Sequence, residues 1–303
     1  FVLHIMDADG DNIQQLTFNQ SHDLNPIVLD SGKILFSRWD NAGQTRNNGV
    51  NLYQINPDGS ELTYLYGRHS HDSGDDNSTV QFFKPIALEN GNVAVQLREF
   101  ESTSFSNQPT EVRVNDFIEA DLAIDGTTGE GQQAIVSGLN TDGENNLNGS
   151  YGSLFPLYDG TNRYLVSWSV CRVVPIDAQG DPSGSPESCT QEKLDSVNYQ
   201  AADSLYGLWV LDADAGTQLP IDLAEEGQVF EEAVLMTQRT LPGTVADMSF
   251  TGEASTLAAE NLGVIHIKSV YDFDGVDTSP SGLAVMADPV QTAADERPQR
   301  FIR

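Results

Sequence analysis

Asp272, Asp274 and Asp277 are the side chains in this chain whose spacing comes nearest to a recognisable chemistry. They place three carboxylates close together, and a Ser-Pro-Ser-Gly stretch follows that is able to fold back with carbonyl oxygens, as calcium requires. The bidentate glutamate of a calcium loop is missing, so a plain turn is the competing reading. Asp7, Asp9 and Asp11 alternate in the same way, but Phe18 stands where that glutamate belongs, and Asp-Gly steps suit a tight turn without an ion. Asn56 to Gly59 and Asp212 to Gly216 read as turns for the same reason. His69 and His71 precede Asp72, Asp75 and Asp76, a zinc ligand set on paper, yet no third His or Cys lies at local spacing. The polar composition of that loop explains its residues without a metal.

Nucleophilic chemistry finds less support. Gly149-Ser150-Tyr151-Gly152-Ser153 does not fit the Gly-x-Ser-x-Gly elbow, and neither a phosphate-binding loop nor a dinucleotide fingerprint occurs. No catalytic residue is assigned. Cys171 and Cys189, the 2 cysteines of the chain, flank a stretch rich in Pro, Gly, Ser and Asp, with no Cys-x-x-Cys pair and no haem-attachment Cys-x-x-Cys-His. Bonding them would stabilise the fold by about 3 kcal/mol in the chain-entropy model. A disulfide there implies an oxidising compartment, the periplasm or the cell exterior.

The elements that must hold these residues are hairpins. LHIMDADGDNIQQLT (Leu3 to Thr17), LYQINPDGSELTYLY (Leu52 to Tyr66) and LWVLDADAGTQLPID (Leu208 to Asp222) each read as a short apolar strand, a turn containing Asp and Gly, and a second strand. NPIVLDSGKILFSRW (Asn25 to Trp39), KPIALENGNVAVQLRE (Lys84 to Glu99) and FPLYDGTNRYLVSWS (Phe155 to Ser169) interleave with them. Two alternating hairpins make a four-stranded unit, and a run of such units predicts an all-β fold, a β-propeller of four-stranded antiparallel blades. The boundaries read as the end of a blade over 1–21, blades over 22–78, 79–148 and 149–227, and an irregular segment over 228–303 that starts a further blade. That is about four blades of a propeller of roughly six to eight.

Within the 79–148 blade the third strand is expected over Asp121 to Ile124, after a polar insertion from Glu101 to Pro109. Past Gln228, VFEEAVLMTQR is expected as one strand, GEASTLAAENLG as the one short helix, stopped by Gly263, and GVIHIKSVYDFDG as a return to strand alternation.

Met6-Asp7-Ala8-Asp9-Gly10 with Leu16-Thr17, Asp23, Pro26, the turn Asp30 to Lys33 and the strand Ile34 to Phe36 resembles the WD40-like (PD40) repeat of TolB-type propellers. Phe36 to Asp40, Asn56 to Gly59, Tyr66 to Ser70 and Ser269 to Gly275 resemble, more narrowly, the propeller domain of hydrazine synthase alpha-subunit-like exported bacterial proteins. That resemblance implies a propeller beside haem-bearing domains, with haem on parts of a parent chain outside these residues.

Composition narrows the partners. With 15 basic against 45 acidic residues the formal charge is −30, which repels nucleic acid and anionic lipid. No apolar run approaches the roughly 18 residues of a membrane helix, so insertion by this segment is not expected. FVLHIMD opens without a signal-peptide pattern and ERPQRFIR closes on a strand-like run, so the residues are expected to form an internal piece of a longer polypeptide. The function expected is a non-catalytic or accessory module of an exported multidomain protein that docks a ligand, a protein partner or other domains of the same parent chain. The alternatives are a multi-haem redox enzyme of the hydrazine synthase type and a propeller that caps a peptidase.

Overall fold

The computed structural model describes residues 1–19, 21–40, 49–73, 79–100, 102, 106–124, 126–237, 240–249, 251–260, 262, 272–273, 276–277, 281–282, 285–286 and 291. All six hairpin strings form hairpins. Strands β1 (His4–Ile5) and β2 (Gln14–Gln15) pair across the first Asp-rich turn. A four-stranded sheet follows, made of β3 (His22–Val28), β4 (Ile34–Asp40), β5 (Gly49–Ile55) and β6 (Thr63–Tyr66), neighbours in that order. The second sheet takes β7 (Val80–Ala87), β8 (Val93–Glu99) and β9 (Gln108–Val112). After a small hairpin of β10 (Phe117–Glu119) and β11 (Leu122–Ala123), it is completed by β12 (Gln132–Ala134).

The third sheet begins with β13 (Ser150–Pro156) and β14 (Arg163–Ser169). An excursion then builds β15 (Arg172–Pro175), β16 (Glu187–Ser188), the one-turn α1 (Gln191–Leu194) and β17 (Tyr199–Ala201). The sheet closes with β18 (Gly207–Asp212) and β19 (Thr217–Asp222). Every neighbouring pair in the three sheets is antiparallel. Further on stand α2 (Glu253–Ala259), inside the expected helix, and the two-residue strands β20 (Asp272–Phe273) and β21 (Val276–Asp277). The chain divides into two compact units; the three sheets belong to the one comprising Phe1–Asp40 and Asn48–Val245, and α2, β20 and β21 to the other.

The apolar alternation of the strands is spent between sheets, face to face. Leu35, Leu52 and Tyr66 of the first sheet meet Phe82, Val95 and Leu97 of the second in one buried cluster. Ala94 of the second sheet shares a second cluster with Tyr151, Leu154 and Val166 of the third. Leu3 and Leu16 lie against Phe36 and Ile55 in a third. The first and second sheets are therefore buried on both faces by their sequence neighbours and the third on the face toward the second, which is how propeller blades stack. Full burial of one such side chain stabilises by roughly 1.5–3 kcal/mol, so these layers carry most of the fold.

Two polar locks add specificity. Arg38 grips Asp23 with two donors, Nε at 2.7 Å and Nη2 at 3.0 Å, with the Asp23 side chain at 0% exposure. Glu119, also buried, accepts from the Tyr64 hydroxyl, from His69 N at 3.1 Å and from Ser70 Oγ at 2.5 Å, tying the β10–β11 hairpin to the end of the preceding sheet.

Three readings change. The third strand of the second sheet is Gln108–Val112, and Leu122–Ala123 instead pairs with Phe117–Glu119 in the side hairpin. Its single conspicuous apolar residue, Val112, concealed it, yet Pro109, Thr110 and Val112 are all buried. The cysteine-flanked stretch, a loop without apolar periodicity in the sequence, is ordered in part: Arg172–Pro175 pairs with β16 and β17, and Val173 and Val174 are buried. Residues 228–237 form no strand, because Phe230 bonds through its N–H to Tyr206 O at 2.9 Å and through its carbonyl to the Ser167 hydroxyl, leaving no ladder to join.

Candidate functional site

A proline follows Asn25 in β3 and Lys84 in β7, each the first strand of its sheet, and the consequence is a shared distortion. In β3 the register slips between Leu24 and Ile27, with Asn25 at φ 51°. In β7 it slips between Phe83 and Ile86, with Lys84 at φ 47°. In β13 it slips between Tyr151 and Ser153, at Gly152. Left-handed backbone costs a residue with a Cβ about 1–2 kcal/mol, and bulges re-aim side chains. Strain of this kind concentrates at functional sites.

All three bulges open onto one cavity of about 860 Å³. β3, β7 and β13 are the edge strands of their sheets on this side, so the cavity sits where the blades converge. Lys84 and Arg98 bring positive charge to it, and Glu144, Asp203, Glu231 and Glu232 negative. The Arg98 guanidinium lies over the Phe83 ring at 4.7 Å, and burial holds its pKa below the ordinary arginine value. Lys84 Nζ pairs with Glu232 at 2.7 Å. Gly152 keeps the wall thin: a Cβ there would fall 3.3 Å from Ser167 Oγ and 3.4 Å from the Tyr206 ring.

Tyr206 is 6% exposed. Ser204 and Ser150 approach its hydroxyl and soften the cost of burial, which pushes its pKa up, but the hydroxyl completes no hydrogen bond in good geometry. A buried polar group left so costs about 1–3 kcal/mol.

One wall of the cavity is the chain itself. Residues 228–237 pass Ser167 and Lys84 at Phe230 and Glu232, and farther along Gly243 N donates to Asp30 O of the first sheet at 2.8 Å. Gly32 takes φ 85° there, and a Cβ on it would lie 2.0 Å from the Gly243 carbonyl oxygen, so only glycine admits this approach. A second cavity, of about 670 Å³, lies between β8, β9 and β12 and the β10–β11 hairpin, with Leu97, Phe117 and Gln132 in its wall.

The residues singled out from sequence fall elsewhere. Asp272 and Asp277 are paired across β20 and β21 in the other compact unit, and Asp274 lies outside the described residues. Among the Asp-rich turns, Asp7 Oδ2 accepts from Asn12 Nδ2 at 2.6 Å, Asp58 Oδ1 from Ser60 N at 2.9 Å and Asp212 Oδ1 from Ala215 N at 2.9 Å, the local bonding of a turn. His71 uses both ring nitrogens, on Val80 O at 2.6 Å and Asn51 Oδ1 at 2.9 Å, inside the layer between the first two sheets. Asp75 and Asp76 lie outside the described residues. Cys171 and Cys189 are bonded, with Cα atoms 5.4 Å apart, and Cys189 N donates to Cys171 O at 3.1 Å.

Lys84, Arg98, Ser167 and Tyr206 were not legible as a site. The one available signal is the pair Asn25-Pro26 and Lys84-Pro85, where the same repeat position changes from a neutral amide to a cation.

No family model and no curated protein matches this chain. Among solved structures it is similar to Kuenenia stuttgartiensis hydrazine synthase, with TM-score 0.43 and 17% identity over 75% of this chain and 22% of that one. It is similar also to puromycin hydrolase, with TM-score 0.35 and 13% identity over 74% of this chain and 24% of that one. The chain thus spans about a quarter or less of the length of either. The β-propeller assignment rests on the three stacked four-stranded sheets themselves.

Proposed function

We propose that these residues form a docking module, non-catalytic in itself, within an exported multidomain protein of the TolB-type propeller class. The observation that carries the reading is the convergence of three bulged edge strands on one cavity that already holds an extended piece of polypeptide by main-chain and ionic contacts. The disulfide supports export to the periplasm or cell exterior, since such bonds persist in oxidising compartments. No helix among the described residues is long and apolar enough to cross a membrane. The three complete four-stranded sheets among the described residues are fewer than the roughly four to eight blades of a closed propeller, which supports a larger parent whose other segments are partners of this one.

The test uses the natural parent polypeptide. A docking module predicts neither a Soret band nor labelling by a fluorophosphonate probe. A Soret band would replace the reading with the multi-haem redox enzyme that the resemblance to hydrazine synthase alpha-subunit-like proteins implies. Labelling would replace it with a propeller capping a serine peptidase.

A further inference from the structure

The segment that walls the cavity is itself a ligand in form. Phe230 gives and receives main-chain hydrogen bonds, with Tyr206 O and the Ser167 hydroxyl, and two residues on Glu232 delivers a carboxylate to Lys84. This is how an extended acidic peptide is held: backbone groups fix its path and a cation reads its side chain. In a chain with 15 basic residues against 45 acidic, the cavity gathers two cations, Lys84 and Arg98, beside the carboxylates of Glu144 and Asp203, and Lys84 is the one that the segment's Glu232 reaches. The contact is also loosely made. Glu232 is 63% exposed and Lys84 30% exposed at their side chains, and Val234 and Met236 beyond them are exposed at 69% and 97%, so residues 230–236 gain little from burial where they lie. The buried Tyr206 hydroxyl, unsatisfied in the same wall, marks a polar contact that this segment leaves unmade.

We infer that the cavity is a binding site for an extended acidic peptide, and that residues 230–232 occupy it from within as a tethered competitor. The inference rests on the docking reading above and names the class of partner. A tethered segment acts at an effective concentration in the millimolar range, so an external peptide must displace it, and weakening the tethered copy must strengthen external binding.

The probe is a fluorescent peptide of the chain's own sequence GQVFEEAVL, followed by anisotropy on the full 303-residue chain. Glu232→Gln, an exposed change that leaves the sheets intact, is expected to bind it roughly three- to fivefold tighter than the unaltered chain, the range of one partly exposed ion pair. In the Glu232→Gln background, where the tethered copy no longer uses this cation, Lys84→Gln is expected to weaken binding by a similar factor and Lys84→Arg to restore most of it, with thermal melts confirming that both variants fold. The control peptide GQVFQQAVL is expected to bind more weakly to the unaltered chain and to Glu232→Gln, and Lys84→Gln is expected to narrow that difference. Equal affinity of the unaltered chain and Glu232→Gln, or equal affinity for the acidic and amide peptides, would overturn the inference. A parent with a Soret band whose cavity still takes the acidic peptide overturns the docking reading alone; a parent without one whose cavity ignores the peptide overturns this inference alone.

Discussion

Residues 150–156 and 229–236 are both short runs rich in apolar side chains, SYGSLFP and VFEEAVLM, and they meet opposite fates. In β13, Tyr151 is 1% exposed and Leu154 8%; in the second run Val229 is 57% exposed and Met236 97%. The first has β14 beside it, with free ladder groups on one edge and an adjoining sheet across its face. The second has neither, and satisfies Phe230 on a single carbonyl and a single hydroxyl. Apolar composition makes a strand only where another strand offers its backbone, and the segment left over is the one that lies in the cavity.

Damage inside the sheets is therefore expected to cost far more than damage to residues 229–236. The largest effect is expected at the buried pair in the first sheet. Arg38→Ala leaves Asp23 charged and unpaired, which costs about 3–5 kcal/mol. Val234→Ser and Met236→Ser, by contrast, are expected to stay within about 0.5 kcal/mol. Urea melts of the three variants decide it; a Met236→Ser loss comparable to that of Arg38→Ala would show the exposed segment to be part of the core after all.

The Cys171–Cys189 bridge sharpens the comparison within the third sheet. Its reduction is expected to cost about 3 kcal/mol through the loop it closes, with hydrogen exchange rising first across β15 to β17. Exchange rising first in β13 and β14 would contradict this assignment.

Alkaline pH probes the layers from a different side. Burial pushes the Tyr66 and Tyr164 phenols up to about 12 from the ordinary value of 10.0, and raises Tyr64, Tyr151 and Tyr206 as well. A raised folded-state pKa contributes stability that is complete below pH 10 and is lost as pH climbs toward 12, on the order of 2 kcal/mol per ring. Tyrosinate absorbance of these rings is expected to appear together with loss of circular dichroism. Full tyrosinate absorbance in a chain still folded would show that the interlayer rings are accessible.

The smallest effect concerns cations. General salt is expected to stabilise a chain of charge −30 by screening its self-repulsion. If Asp272, Asp274 and Asp277 hold calcium, the melting midpoint rises more with calcium than with sodium chloride at matched ionic strength, and Asp274→Asn with Asp277→Asn removes the excess. Identical responses would leave these aspartates as turn residues.

The sequence alone determined the hairpins, because each depends on neighbours a few residues apart: Gly59 at φ 81° with Asp58 bonding Ser60, or Leu29 and Lys33 closing the Asp30 to Gly32 turn at 2.9 Å. From the alternation of those hairpins the four-stranded unit followed, and with it the propeller. It did not determine Gln108–Val112 as a strand, whose burial comes from β8 and β12 on either side and not from its own residue types. Nor did it reveal the cavity. Asn25, Lys84 and Gly152 are distant in the chain and differ in chemistry, and what they share is a register slip at an edge strand. Local propensity acts over a few residues and is legible in order; a site assembled from three blades and a returning segment exists only once long-range packing has brought their backbones together.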